Sequence, residues 1–289
     1  MPNRIRKAVL PVAGLGTRFL PATRAMPKEM LTVVDRPVIQ HVVDEARAGG
    51  IEHFIFVTGR NKGVIEDHFD IQFELERTLE ARGKTAELDA LQRDLPKPGQ
   101  TSFTRQQAPL GLGHAVWCAR EIVGDEPFAL LLPDVLHYAQ SPCIGEMIDT
   151  YAERPGNYIA VAPVPADQTH QYGIVGVEDP AAKTSRITQM VEKPKAGTAP
   201  SNLHISGRYI LEPQIFDILG AGERGAGGEI QITDAMIGLA ATRPFYAFRF
   251  DGTIYDCGSK TGFLAANIAY ALARDDLAPA LRAELRKLL

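Results

Sequence analysis

The stretch at residues 5–31, IRKAVLPVAGLGTRFLPATRAMPKEML, decides the fold because it joins a short buried strand to a long glycine-rich loop. Residues 5–13 are mostly apolar, as is typical of a strand that is covered on both faces. Gly14 and Gly16 follow it, and glycine lets a backbone approach a ligand closely. Because successive backbone amides in such a loop can bind an anion, the stretch predicts an α/β fold with an anion-binding loop after its first strand.

Two common nucleotide-binding patterns do not fit this loop. The third glycine of GxGxxG is replaced by Phe19, and Pro21 and Pro27 interrupt the helix that should open directly after the turn. No acidic residue ends the second predicted strand, and the GxxxxGK[ST] pattern is absent from the sequence. A dinucleotide-dependent oxidoreductase is therefore disfavoured.

The rest of the chain alternates apolar runs with amphipathic segments. Further strands are predicted at residues 53–58, 101–106, 128–132 and 158–164, with helices between them. This pattern predicts a doubly wound, Rossmann-like, mostly parallel sheet that binds its ligand at the carboxyl ends of the strands. After residue 165 three β-rich segments, 174–177, 187–191 and 203–210, predict an antiparallel excursion. We expect one domain, with the parallel part of the sheet in residues 5–165, the antiparallel excursion within residues 166–260, and C-terminal helices in residues 261–289.

The composition of the 289 residues is that of an ordinary globular protein, with 45% hydrophobic and 23% charged residues. The 31 Lys and Arg against 35 Asp and Glu give a net charge of −4, which argues against a nucleic-acid or anionic-membrane partner. No apolar run reaches the ~20 residues of a membrane helix, so we expect a cytoplasmic protein. The three cysteines form no CxxC pair, which disfavours a zinc site.

The glycine loop also carries two cations, Arg18 and Lys28. Residues 14–31, GLGTRFLPATRAMPKEML, resemble the signature GxGTRxxPxTxxxPKxxL of the sugar-nucleotide pyrophosphorylases, and the following VVDRPVIQHVVDEA resembles the same family. The resemblance covers about residues 5–275, with the motifs in the family's order. It implies that residues 5–165 mainly bind the nucleotide and that residues 166–260 mainly bind the sugar. It is strongest to the family members that use UTP and glucose 1-phosphate.

The resemblance implies a reaction and its participants. UTP and glucose 1-phosphate give UDP-glucose and pyrophosphate when the sugar phosphate attacks the α-phosphorus of UTP in line. It also implies Mg²⁺ as cofactor and a homodimer or homotetramer. The nucleophile is already ionised at neutral pH, so the chemistry needs positioning and charge neutralisation rather than a general base.

A nucleotide-binding set follows from the loop and from the segment TRQQAPLGLGHA. Gln106 ends a predicted strand, and a carboxamide can pair with the edge of a uracil or thymine ring. Gly111 lies in the turn that follows, where it would let a base lie against the backbone. The resemblance implies that the nucleotide is held by Ala13, Gly14, Gly16, Glu29, Gln106 and Gly111.

The candidate metal ligands are two aspartates. Asp134 follows the fourth predicted strand in LLLPDV, and Asp256 precedes a predicted helix in YDCGSK. Mg²⁺ usually takes one or two carboxylates together with substrate phosphates. The resemblance implies that both aspartates bind the metal, that Arg18 and Lys28 hold the triphosphate, and that Lys193 holds the sugar phosphate; these three cations are the predicted catalytic residues.

The predicted sugar site centres on the segment MVEKPK. Neighbouring residues of a strand point to opposite faces, so Glu192 and Lys193 can share one site only at a strand end or bulge. The resemblance implies that Glu192 bonds the sugar hydroxyls. It adds four further sugar-site residues: Gly173, Asn202, Gly207 and Glu229.

Two other functions stay open at this point. A thymidylyltransferase acting on the same sugar phosphate differs in one methyl group of the base, which a hydrophobic slot discriminates by only ~1–3 kcal/mol. A non-catalytic regulatory paralogue that binds a sugar nucleotide should have lost a charge-handling residue, yet Arg18, Lys28, Asp134, Lys193 and Asp256 are all present.

Overall fold

The computed structural model describes residues 4–288, so residues 1–3 and 289 of the predicted domain lie outside the described residues. The strands are β1 (Lys7–Pro11), β2 (Thr32–Val33), β3 (Arg36–Pro37), β4 (His53–Thr58), β5 (Thr101–Arg105), β6 (Phe128–Leu131), β7 (Val135–Tyr138), β8 (Asn157–Pro163), β9 (Gly173–Val177), β10 (Thr184–Glu192), β11 (Leu203–Leu211), β12 (Phe245–Arg249) and β13 (Thr253–Asp256). The helices are α1 (Val38–Ala48), α2 (Gly63–His68), α3 (Phe73–Ala81), α4 (Thr85–Asp94), α5 (Leu112–Trp117), α6 (Arg120–Val123), α7 (Cys143–Glu153), α8 (Ile215–Gly220), α9 (Ile232–Ala240), α10 (Lys260–Leu272) and α11 (Ala278–Leu288).

A nine-stranded sheet in the order β5-β4-β1-β6-β11-β8-β12-β10-β9 forms the centre of the molecule. Strands β5, β4, β1 and β6 run parallel to one another, as do β8 and β12. Within this sheet β10 and β11 run in the opposite direction. The predicted antiparallel excursion thus belongs to the main sheet, and β11 separates β6 from β8.

Both faces of the sheet are covered, which confirms the doubly wound α/β fold. Along β1, Ala8 and Leu10 pack into one buried cluster while Val9 packs into the other, as the alternation of a strand requires. Helices α1 and α7 contribute to the first cluster and α5, α8 and α9 to the second. The sheet therefore has two apolar layers, and its strand ends are left for a site.

Two small sheets outside the main one were not predicted. Strands β2 and β3 form a short hairpin after the glycine loop. Strands β7 and β13 pair antiparallel, with Val135 opposite Asp256. This two-stranded ribbon matters for function because each strand carries one of the two candidate metal ligands at or next to its end.

The long charged segment at residues 71–95 forms two helices, α3 and α4, that are separated around Gly83. Gly83 has a φ of +66°, a left-handed conformation that ends a helix at low cost for glycine. No helix among residues 4–288 is long and apolar enough to cross a membrane.

Candidate functional site

A cleft of about 460 Å³ lies at the carboxyl end of β1, β5 and β6. All six predicted nucleotide-binding residues line it, together with one predicted catalytic cation, one predicted metal ligand and one predicted sugar residue: Ala13, Gly14, Gly16, Glu29, Gln106 and Gly111, with Lys28, Asp134 and Glu229. We use the name loop cluster for ten residues: Ala13, Gly14, Gly16, Arg18, Lys28, Glu29, Gln106, Gly111, Asp134 and Asp256. The position is the one at which a doubly wound sheet binds its ligands.

The glycine loop is shaped by its second glycine and a series of tight turns. Gly16 has a φ of +68°, and the Thr23 hydroxyl donates to the Gly16 carbonyl at 2.7 Å. A side chain on Gly16 would also meet the Thr23 and Lys28 side chains at 3.2–3.3 Å. The loop therefore folds back on itself and needs glycine at this position both for conformation and for space.

Lys28 extends from this loop to the end of β6, where its ammonium group donates to a carboxylate oxygen of Asp134. Burial lowers the pKa of Lys28, but the carboxylates of Asp134 and Glu29 outweigh it and the pKa lies above its ordinary value. The side chain therefore stays a cation beside the cleft. The structure brings together a predicted triphosphate ligand and a predicted metal ligand that are 106 residues apart.

Glu29 lies at the bottom of the cleft and is almost completely buried. Its Oε2 accepts a 2.8 Å hydrogen bond from the buried ammonium of Lys62, while Oε1 is buried without a partner. Burial raises the pKa of Glu29, and the Lys62 and Lys28 cations oppose that shift. Glu29 therefore has one oxygen that is held by Lys62 and one buried oxygen without a partner.

The two aspartates lie on either side of Gly258. A Cβ atom on Gly258 would come within 2.9 Å of both Asp134 Oδ2 and Asp256 Oδ1, and the Gly258 amide donates to Asp256 Oδ1 at 2.8 Å. Arg18 reaches the same place, since its guanidinium donates to the Gly258 carbonyl at 3.5 Å. The pairing of β7 with β13 explains this approach, because Val135, next to Asp134, lies opposite Asp256.

This pair of carboxylates fits a magnesium ion that is shared with a substrate. Burial raises the pKa of the Asp256 carboxyl, and the negative charge of Asp134 adds to the rise, so a cation is the natural third partner of the pair. Among residues 4–288 no cluster of three or more His, Cys, Asp or Glu side chains could hold a metal alone. Two carboxylates with phosphate oxygens and water are a common ligand set for Mg²⁺.

Gln106 and Gly111 lie at the side of the cleft that borders α5. The Gln106 amide nitrogen donates to the Gly111 carbonyl at 2.9 Å and lies 3.1 Å from His114 Nδ1. Because its nitrogen is engaged, the amide oxygen is the group that can accept an N–H from a base. Gly111 has a φ of +104°, and a Cβ there would lie 2.8 Å from the Ile230 carbonyl oxygen.

The remaining predicted residues lie on the β9–β11 side of the sheet. We call Gly173, Glu192, Lys193, Asn202 and Gly207 the strand cluster. Strand β10 ends at Glu192, and Lys193 has a φ of +45°. Because Lys193 has this left-handed conformation, its side chain and that of Glu192 reach the same side of the strand end, as a shared site requires. Lys193 Nζ lies 3.8 Å from Glu192 Oε1.

Backbone pairing fixes the rest of the strand cluster. Gly173 lies opposite Glu192, and a Cβ on it would lie 3.0 Å from Glu192 Oε2. The Gly207 carbonyl accepts from the amide of Leu132, a cleft residue, at 2.9 Å. Asn202 is exposed and is tied by its backbone carbonyl to the Val164 amide at 2.9 Å.

The two clusters meet through the segment before α9 and the first turn of α9. Glu229 lines the cleft, and the Ile230 amide donates to the Leu110 carbonyl at 2.7 Å. Three residues further on, the Thr233 hydroxyl donates to Glu192 Oε2 at 2.9 Å. Glu229 therefore lies between the two clusters.

Sequence reasoning missed the residues that support these side chains. Lys62, Thr233 and Gly258 make the contacts described above, yet none was among the predicted site residues. Gly258 gave the only sequence signal, because it follows Asp256 and precedes Ser259, whose side chain caps α10. Lys62 gave none, since a buried lysine looks like a surface lysine in the sequence.

Comparison with known proteins agrees with the fold and with the family resemblance. The family model described as nucleotidyl transferase matches residues 7–272. The UTP–glucose-1-phosphate uridylyltransferase of Bacillus subtilis is 46% identical over 289 residues, which cover 99% of each chain. A UTP-bound UDP-glucose pyrophosphorylase structure from Acinetobacter baumannii is 44% identical with a TM-score of 0.91, covering 99% of this chain and 100% of that one. A UDP-glucose pyrophosphorylase in complex with UDP-glucose is 38% identical with a TM-score of 0.83, covering 93% and 100%.

The chain belongs to the nucleotidyl transferase family. Within that family its nearly full-length relatives named above are UTP–glucose-1-phosphate uridylyltransferases, which confirms the resemblance seen in the glycine loop.

Proposed function

We propose that the chain catalyses the Mg²⁺-dependent reaction of UTP with glucose 1-phosphate, which gives UDP-glucose and releases pyrophosphate. The observation that carries the proposal is the loop cluster. At one end of a doubly wound sheet it joins two cations, Arg18 and Lys28, to two close carboxylates, Asp134 and Asp256. A cleft lined by a carboxamide and two closely packed glycines adjoins them. The names of the full-length relatives support the same reaction.

The chemistry needs these charges because both reactants are anions. Two unit charges about 4 Å apart repel by roughly 4 kcal/mol at an effective dielectric constant of about 20, and each substrate carries more than one charge. The sugar phosphate needs no deprotonation to attack, so catalysis consists of in-line positioning and charge neutralisation.

Each cation has a separate task in this proposal. Lys28 exchanges the Asp134 carboxylate for phosphate oxygens of UTP, and Arg18 binds the departing pyrophosphate. Lys193 holds the phosphate of the incoming sugar, while Glu192 accepts hydrogen bonds from the sugar hydroxyls. Gly173, Asn202, Gly207 and Glu229 complete the sugar site.

Asp134 and Asp256 hold Mg²⁺ in this proposal, with Asp134 as the direct ligand. When bound, the ion neutralises charge on the phosphates and stabilises the negative charge that develops during transfer. When Lys28 moves from Asp134 to the phosphates of UTP, it frees the Asp134 oxygen, so the binding of UTP prepares both Lys28 and Asp134.

The nucleoside is held on the opposite side of the cleft. The Gln106 amide oxygen accepts from the N3–H of the base, and Gly111 leaves room for the ring. Glu29 offers a second acceptor through its unpartnered oxygen, and Ala13, Gly14 and Gly16 place backbone groups beside the phosphates.

Pyrophosphate release is the direct test. Purified protein with UTP, glucose 1-phosphate and Mg²⁺ should release pyrophosphate and form UDP-glucose, and omission of the sugar phosphate or addition of EDTA should stop both. A flat trace with all components present would favour the non-catalytic paralogue. Competition between UTP and dTTP separates the uridylyl from the thymidylyl reaction, because a preference for dTTP would reverse the proposed base.

The proposal extends to assembly, where we expect a homodimer or homotetramer. Helix α10 exposes Leu264 and Ile268, apolar side chains that a second chain could cover. Light scattering of the purified protein gives the mass directly, and a monomer would contradict this part of the proposal.

A further inference from the structure

A wholly buried arginine lies behind the turn that carries Asp134. Arg208 is on β11 and has 0% exposure. Its Nε and Nη2 atoms donate to the carboxylate of Glu45 on α1 at 2.7–3.2 Å. The other donor contacts of the guanidinium go to backbone carbonyls rather than to a second side chain.

Two of those carbonyls flank the candidate metal ligand. Arg208 donates to the Leu132 carbonyl at 3.2 Å and to the Val135 carbonyl at 2.8 Å, so it holds both ends of the Pro133–Asp134 turn. A third contact goes to its neighbour, the Gly207 carbonyl, at 3.2 Å. The guanidinium is rigid and planar, so the two flanking carbonyls are fixed relative to each other.

The turn has little support from its own backbone. Pro133 has no N–H to donate, and the bond from the Val135 amide to the Leu132 carbonyl is long, at 3.4 Å. The clamp also acts on the second aspartate, because Val135 pairs with Asp256 in the ribbon of β7 and β13. Holding Val135 therefore holds the register that places the two carboxylates together.

Stability alone does not account for a buried guanidinium at this place. Replacing a buried ion pair with apolar side chains of similar volume is often neutral or stabilising. Strand β11 has a β-bulge here, since Gly207 has a φ of +82° and the pairing of β11 with β8 shifts register between Ile205 and Tyr209. This bulge lies where Arg208 reaches the turn, and bulges commonly redirect a side chain next to a functional site.

We propose that Arg208, anchored by Glu45, is a positioning residue for Asp134 and Asp256 and thereby sets the affinity of the site for its divalent cation. The inference rests on the proposed function only in the metal role of the two aspartates. Arg208 touches neither substrate nor metal in this account. Residues that orient metal ligands typically change metal affinity by about 10–100-fold when mutated.

The test measures metal binding apart from turnover. Mn²⁺ serves as the probe, and its binding is followed by electron paramagnetic resonance with the whole protein and UTP but without glucose 1-phosphate. The variants are Arg208→Lys, Arg208→Met, and the double change Glu45→Met with Arg208→Met, which leaves no unpaired buried charge. We expect each to weaken Mn²⁺ binding about tenfold or more, while UTP affinity in EDTA stays within twofold of the unaltered protein.

A matched control separates positioning from general loosening. Ile210 lies two residues further along β11, so its side chain is on the same face of the strand and is equally buried. Ile210→Ala should lower the thermal unfolding midpoint and leave Mn²⁺ affinity unchanged. Mn²⁺ affinity that is unchanged in the Arg208 variants, or lost equally in Ile210→Ala, would overturn the inference while leaving the proposed reaction intact. An unaltered protein that neither binds Mn²⁺ nor releases pyrophosphate would overturn both.

Discussion

The loop cluster and the strand cluster hold their charges in different ways. In the loop cluster Lys28 contacts Asp134, and Glu29 contacts Lys62, with all four side chains buried or half-buried. In the strand cluster the Lys193 side chain is 63% exposed and approaches Glu192 only to 3.8 Å. The difference indicates that the loop cluster is preorganised by internal ion pairs, whereas Lys193 keeps its side-chain freedom; if it holds the sugar phosphate as proposed, it loses that freedom on binding.

The largest expected effect comes from the centre of the loop cluster. Asp134→Asn removes a metal ligand and the carboxylate that neutralises Lys28, so kcat should fall by roughly 10²–10³-fold, in the range for lost transition-state electrostatics. The Mg²⁺ concentration for half-maximal turnover should rise in parallel. Asp89→Asn on the exposed surface of α4 is the matched control and should change neither. If the dependence of turnover on Mg²⁺ concentration is unchanged in Asp134→Asn, Asp134 is not a metal ligand. The proposed difference between a metal-binding loop cluster and the strand cluster would then be wrong.

The second prediction addresses the strand cluster. Lys193→Ala should lower turnover by about 10²-fold, while UTP binding measured by calorimetry stays within twofold, because in the proposed reaction Lys193 contacts the sugar phosphate and not UTP. Since the side chain is mostly exposed, the unfolding midpoint should barely change. Lys195→Ala, an exposed lysine two residues on, is the control. Equal loss of UTP binding and turnover would show that Lys193 is structural and that the two clusters are not separate.

The third prediction uses the pKa of Glu29, which burial raises and the Lys62 cation holds down. Lys62→Met removes the cation, so Glu29 should take up a proton at higher pH than in the unaltered protein. A protonated carboxyl is a weaker acceptor, so UTP affinity should fall by about tenfold near neutral pH and recover as pH rises. Calorimetric UTP titrations between pH 6 and 9 measure this.

The control for that change keeps the charge. Lys62→Arg should restore most of the affinity and the flat pH profile. A UTP affinity in Lys62→Met that is as independent of pH as that of the unaltered protein would show that the buried pair serves folding rather than the nucleotide.

The two clusters also show which features the sequence could predict and which it could not. The glycine loop and the strand ends are local features, so β4 (His53–Thr58) agrees with the predicted bounds and the loop residues were found together. The supporting contacts join distant positions, such as Lys62 with Glu29 and Arg208 with Glu45, 163 residues apart. No local pattern encodes which buried charge meets which, and the insertion of β11 between β6 and β8 depends on the packing of the whole sheet.

The smallest expected effect lies where the two clusters meet. At Gly111 a Cβ atom would lie 2.8 Å from both the Glu229 Cβ and the Ile230 carbonyl oxygen, and the φ of +104° already disfavours a side chain. Gly111→Ala should therefore push the segment before α9 away from the cleft and weaken UTP binding several-fold. Because Thr233, in the first turn of α9 directly after this segment, donates to Glu192, the KM for glucose 1-phosphate should rise as well.

Gly83 provides the control for backbone strain without a steric contact. Its φ is +66°, and a Cβ there would meet nothing within 4 Å. Gly83→Ala should cost about 1 kcal/mol of unfolding free energy and leave both substrates unaffected. A rise in the KM for UTP alone in Gly111→Ala would show that the loop and strand clusters act independently, whereas a rise for both would show that this segment couples them.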